Sequence, residues 1–310
     1  MALGTNQVTV AVANNFIPEL WSDEVIGAYK SNLVVANLVT KLNHRGKKGD
    51  TIHIPVPARG SASAKAANTQ VVLSAATNSV INISIDQHYE YSKLIEDIAE
   101  VQSLSSMRKF YTDDAGYALA TQVDTKLSTL WEALQGGTVG GSNAAAWETA
   151  VIGGSGVTLY TGNSSNASDI DDDGIRKMIL KLDNADVPMD NRALIVPPIA
   201  ANDMLGINRF TEQQYIGSGD AIKTGKIGMI YGVDVYISSN CPTTTTANTA
   251  TDRVGCLLHK DALVHVEQVG VRSQTQYKQE YLGDLFTSDT IYGVGELRND
   301  AGVAFVVPGT

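Results

Sequence analysis

Cysteine, positive charge and long apolar runs are what this chain of 310 residues has least of. Only two cysteines occur, Cys241 and Cys256. They cannot build a disulfide framework, and neither has the C-x-x-C spacing of a zinc or redox site. A reducing compartment is the expectation. Lys and Arg number 23 against 33 Asp and Glu, a net charge of -10. That balance excludes tight groove-tracking or sequence-specific nucleic-acid binding, which needs clustered cations to neutralise phosphates. The one compact basic cluster, His44-Arg45-Gly46-Lys47-Lys48, reads as a solvated turn. No apolar run approaches the roughly 20 residues that span a bilayer. The opening MALGTNQVTV has neither the basic nor the apolar segment of a secretory signal, so cytoplasmic synthesis without export is expected.

What is present is a folded composition, 43% hydrophobic and 18% charged. The longest stretch that reads as one helix is Leu104 to Leu134, in which Leu119, Val123, Leu127, Leu130 and Leu134 recur at helical spacing on one face. Ser105 and Ser106 suit its start, and Gly136-Gly137 suits its stop. Gly116 in its middle predicts a bend. Upstream, Ile17-Pro18-Glu19-Leu20-Trp21 opens a helix, and the apolar run from Leu33 to Val39 needs burial.

Ile52, Ile54 and Val56 alternate as in a strand, as do Ile81, Ile83 and Ile85. Between them lie residues 58–79, rich in Ala, Ser, Asn and Thr, far longer than a usual hairpin loop. Read as an antiparallel arm, the excursion reaches about 55 Å and needs a partner subunit to support it; the other reading is a loose surface loop. Residues 136–168 are dense in Gly, Ser, Asn and Ala and read as a linker. A second unit of mixed strands and helices starts near Asp169: a helix over 174–184 capped by Asp171 to Asp173, a buried strand at 192–196, a helix at 199–205, two β segments around Tyr231-Gly232, and a polar loop at 243–251. β-rich segments at 254–266, 271–277, 290–297 and 303–307 follow.

No reaction centre emerges. Asp169-Ile170-Asp171-Asp172-Asp173-Gly174 starts like a calcium loop, but position twelve is Leu180 where a bidentate Glu belongs, and helix capping explains the acids. The five histidines show no metal-ligand spacing. Gly153-Gly154-Ser155-Gly156 lacks the Lys-Ser or Lys-Thr of a phosphate cradle and reads as a flexible loop.

In order, Ile17-Pro18-Glu19-Leu20-Trp21, Asn32-Leu33-Val34, Gly49-Asp50-Thr51-Ile52-His53-Ile54-Pro55, Ala185-Asp186-Val187-Pro188, Arg192 to Pro198, Gly228 to Ser238 and Ile291-Tyr292-Gly293 together resemble the major capsid proteins of tailed double-stranded DNA bacteriophages, the Hong Kong 97 phage fold. The resemblance covers most of the chain from Ile17 to Pro308. It implies an α+β fold with an amino-terminal arm at 1–48, an extended loop at 49–88, a peripheral domain at 89–139 and 261–310 that includes a spine helix at 104–134, and an axial domain at 140–260. It also implies a structural role without catalysis, cofactor or metal: pentamers and hexamers closing an icosahedral shell around double-stranded DNA in the virion, assembled in the host cytoplasm, with no membrane. Such a shell leaves room for scaffolding, portal and decoration proteins. Arg59 and Lys65 are the loop residues expected to meet acidic neighbours. An encapsulin-type compartment, which shares the fold, and an intracellular α/β enzyme or ligand-binding protein are the alternatives.

Overall fold

Where the apolar period switches between helical and alternating, the backbone switches with it. The computed structural model describes residues 34–46, 48–56, 60, 62–71, 73, 78–98, 107–137, 147–162, 166–207, 228–245 and 251–309. In chain order the elements are α1 (Val35–Leu38), β1 (Thr40–Asn43), β2 (Thr51–Val56), β3 (Ser79–Ser84), β4 (Gln87–Glu96), α2 (Met107–Thr129), β5 (Val151–Ile152), α3 (Asp172–Asn184), β6 (Arg192–Val196), α4 (Pro198–Leu205), β7 (Met229–Ile230), β8 (Val233–Ile237), β9 (Thr243–Thr245), β10 (Thr251–His259), β11 (Leu263–Lys278), β12 (Gly283–Glu296) and β13 (Gly302–Val307). The Ile17–Trp21 helix, the two serines before α2 and Arg59 lie outside the described residues.

Among the described residues the strands form three sheets. A four-stranded sheet runs β1-β11-β12-β4, with the long β11 and β12 forming its antiparallel centre. A seven-stranded sheet runs β5-β13-β10-β6-β8-β7, with β9 added on β10. Its central β6 is buried at all five positions, as an unbroken Ala-Leu-Ile-Val run predicts. The third sheet is a ribbon of β2 and β3 alone, in register from Thr51 opposite Ser84 to Val56 opposite Ser79. Among the described residues β2 is paired on one side only, the kind of strand in which a proline such as Pro55 is tolerated.

Helix α2 joins the two larger sheets. One end lies on the four-stranded sheet, where Tyr91 on β4 donates to Asp114 at 3.0 Å. The other end, with Leu127, Trp131 and Leu134, enters the main core beside β13. The helix runs through Gly116 as continuous α-helix. It changes character at Leu130–Gly136, which is 3-10 helix, with Leu134 extended and Gln135 at φ 60. Hydroxyls explain where this happens: Thr121, Thr125, Ser128 and Thr129 each bond back to a carbonyl three or four residues earlier and compete with the helical ladder.

Four expectations need correction. The linker reading of 136–168 fails at 147–160, where Trp147, Val151 and Tyr160 are buried and β5 pairs with β13. Gly153-Gly154-Ser155-Gly156 is a close-packing loop: a Cβ on Gly153 would press on the Ser168 carbonyl, and one on Gly156 would collide with that of Gly174. The polar loop at 243–251 contributes a strand, since Thr243–Thr245 pairs with Thr251–Arg253. The final strand also lies elsewhere than the resemblance implied: β13 pairs with β10 in the seven-stranded sheet, where its six residues are all buried.

Candidate functional site

Helix α1 has four residues and no side-chain cap of its own. Its exposed amides are met by Asp124, which α2 carries on the same face as Leu127. The Ala36 amide donates to Asp124 Oδ1 at 3.0 Å, and the Asn240 amide reaches Oδ2 at 3.5 Å. Burial pushes the Asp124 carboxyl up, while the Ala36 amide, Asn240 and the amides of Val35 and Val34 pull it down. The segment leading into the fold is thereby tied to the long helix and, through Asn240, to the loop after β8.

The outer half of the four-stranded sheet carries a second charged cluster. Arg272 grips Asp289 with two bonds of 2.8 Å, and His88 Nε2 lies 3.2 Å from the same carboxylate. Arg272 holds the Asp289 carboxyl below its ordinary range, against the effect of burial. Beyond it the sheet ends in exposed apolar side chains: Ile98, Tyr281 and Leu282 are 63%, 63% and 66% exposed. Among the described residues this end stays exposed, an apolar patch of the kind that marks an interaction surface.

The ribbon forms a second projection. At its root Ile83 and Ile85 pack with Val264 and Val266 into a small core of their own. Farther out, the described residues of 62–73 are all exposed, Leu73 by 92%. Lys65 lies in this stretch, and among the described residues no carboxylate pairs with it.

Chemically the described residues offer little to a substrate. Burial pushes the Cys241 thiol up to about 12 and raises Cys256 as well, so neither supplies a thiolate at neutral pH. Asp171 accepts the Gly174 amide at 2.6 Å, which is the capping role read from the acidic run. Among the described residues no three His, Cys, Asp or Glu side chains gather as a metal site requires.

A family model described as phage capsid protein matches residues 100–305. The chain belongs to the phage capsid protein family. It is a structural major capsid protein with the Hong Kong 97-type α+β fold. A structure from Mycobacterium phage Che8 is similar at 25% identity and a TM-score of 0.73, over 94% of this chain and 97% of that one. The capsid of the cyanophage P-SCSP1u is similar at 19% identity and 0.72, over 99% and 97%. The mature capsid of bacteriophage PhiM1 is similar at 15% and 0.70, over 95% and 93%. No curated protein matches the chain. The capsid protein is thus a component of a multimeric virion shell, and the features that matter in it are surfaces.

Sequence reasoning missed Asp124, the Arg272–Asp289 pair and the exposed end at Tyr281-Leu282. Two of these carried a signal. An Asp three residues before Leu127 falls on the buried face, and two large apolar residues before Gly283 mark a turn that water does not favour.

Proposed function

We propose that the capsid protein closes into pentamers and hexamers and that these tile an icosahedral shell around packaged double-stranded DNA, assembling in the host cytoplasm. In this reading 1–48 is an arm, 49–88 an extended loop laid across a neighbour, 89–139 with β11 and β12 a peripheral domain, and 140–260 with β13 an axial domain. Helix α2 holds the two domains apart at a set distance. Arg59 and Lys65 meet acidic groups of the neighbouring subunit. The protein acts by burying surface and catalyses no reaction.

The observation that carries this reading is that one copy leaves two separate β projections ending in bare apolar side chains, Leu73 at 92% exposure and Leu282 at 66%. Soluble monomers do not ordinarily keep such ends uncovered, whereas permanent assemblies bury on the order of 2,000–5,000 Å² per interface. The net charge of -10 suits a wall that encloses DNA without gripping it. Size-exclusion chromatography and electron microscopy of the purified full chain test the proposal. Closed particles with five-fold and six-fold rings are expected. A chain that stays monomeric, even when co-expressed with a scaffolding protein, overturns it.

A further inference from the structure

Four polar side chains stand together at the edge of the four-stranded sheet. β1 runs parallel to β11, with Lys41 opposite His265 and Asn43 opposite Glu267. Side chains alternate along a strand and paired residues share a face, so all four project from one face. Leu42, Val264 and Val266 take the other face, where they pack with the root of the ribbon. That small core cannot form without turning Lys41 and His265 toward the side of α1 and α2.

Lys41, Asn43, Arg45, His265 and Glu267 line a pocket of about 370 Å³. Arg45 Nη2 donates to Glu267, and Lys41 Nζ donates to Asn37 at 3.0 Å. Each cation has N–H groups beyond these bonds, since a guanidinium carries five and an ammonium three. His265 Nε2 is buried with no hydrogen-bond partner among the described residues. With Glu267 answered by Arg45, Lys41 leaves the pocket a net positive charge on a chain that carries -10. Spare charged donors beside an unmet buried nitrogen suit a tetrahedral oxyanion.

We propose that this pocket binds a phosphate group, a phosphodiester of nucleic acid or free phosphate, on Lys41, Arg45 and His265. Lys41 supplies the charge, Arg45 shares its guanidinium between Glu267 and the phosphate, and His265 Nε2 donates to a phosphate oxygen. Burial holds the His265 imidazole below its ordinary range, with Lys41 adding to that and Glu267 opposing it, so the empty pocket has a neutral ring at pH 7. A bound anion favours the protonated ring, so binding takes up a proton and tightens as pH falls. Of the other elements packed around the ring, β12 brings the Tyr292 ring at 5.6 Å, α2 brings Asp124 into the adjoining cleft, and α1 has no titratable residue. One site with two cations holds nucleic acid weakly and gives way to salt, which fits a wall that touches DNA without tracking its groove. The site goes beyond the shell reading and does not depend on it.

Titrations of the full-length unassembled chain with inorganic phosphate and with a short DNA duplex test this. Saturable phosphate binding is expected, about tenfold weaker in Lys41→Gln and in His265→Gln. Lys93→Gln should leave it unchanged, since it removes an exposed lysine from β4 at the sheet's far edge. Lys41 is exposed on an edge strand, so an unchanged melting temperature of Lys41→Gln separates lost binding from lost fold. A duplex that competes with phosphate, with a salt slope lowered by about 1 in Lys41→Gln, supports the site with phosphodiester as occupant. A duplex that neither binds nor competes, beside phosphate that does bind, supports it with free phosphate as occupant. In NMR, added phosphate should raise the pH at which the His265 ring protonates, in wild type and in Asp124→Asn alike. A ring whose titration ignores phosphate, no saturable binding, or equal losses in Lys41→Gln and Lys93→Gln overturns the site, whether or not shells form. Phosphate binding as described in a chain that never assembles overturns the shell reading and leaves this site standing.

Discussion

The carboxylate of Asp124 accepts the backbone amide of Ala36 at 3.0 Å across 88 positions of sequence, and it is 1% exposed. This bond fastens the start of the described fold to the middle of the long helix. Asp124→Ala leaves the first amides of α1 without an acceptor and is expected to destabilise the unassembled chain by about 1–3 kcal/mol in urea titration. Asp124→Asn keeps an acceptor and discards the buried charge. Burial raises the folded-state carboxyl above its unfolded value, so its stabilising share is full below the unfolded pKa and is lost as pH rises through the raised folded one. The Asn variant is therefore expected to gain on wild type as pH rises through that window. A gap between the two that does not change with pH counts against this account.

Asp289 works in the opposite sense. Arg272 depresses its carboxyl, so its contribution is present above the unfolded pKa and lost as pH falls through the lowered folded one. Melting temperatures of the unassembled chain should drop on acidification below the ordinary carboxylate range. Asp289→Asn should melt lower at neutral pH and show a shallower acid limb. Parallel acid limbs for variant and wild type would assign the drop to other carboxylates.

Strand alternation, the long helix and its apolar face were legible because each depends on neighbours a few residues away. Leu119, Leu127 and Leu134 are buried, as their spacing predicts. What stayed hidden depends on distant partners. Trp147, Val151 and Tyr160 sit among small residues whose average resembles a linker, and only β13, from the other end of the chain, makes that segment a core strand. Thr243–Thr245 reads as a polar loop until β10 supplies its ladder. Asp124 looks like a surface acid until α1 is placed over it. Surface function was the least legible, since an exposed Lys65 has no ion pair among the described residues from which its role could be read.

Lys65 and Arg59 nonetheless make a definite prediction. They are the only Lys or Arg residues between Thr51 and Ile85, a stretch with no Asp or Glu, so reversing both should turn attraction to an acidic neighbour into repulsion. Arg59→Glu with Lys65→Glu is expected to cut particle yield while leaving the monomer's circular dichroism and melting temperature unchanged. The wild-type association rate should fall as salt is raised toward 1 M, where screening acts within about 3 Å. Unaltered yield and a salt-independent rate would remove both residues from the interface.

Two helical glycines separate local propensity from packing. At Gly116 a Cβ would meet nothing within 4 Å, and the backbone is ordinary α-helix. Gly116→Ala should therefore stabilise the unassembled chain by about 1 kcal/mol through the unfolded state's lost freedom. At Gly174, in the first turn of α3, a Cβ would run into the Gly153 carbonyl. Alanine there must push apart two backbones that pack directly, and Gly174→Ala should cost about 1–3 kcal/mol or more. Chemical denaturation of both variants checks the pair, and the same substitution must give opposite signs. If Gly116→Ala stabilises the monomer yet lowers particle yield, the bare face at Gly116 is where another copy's backbone comes close, and that would account for a glycine the isolated chain does not need.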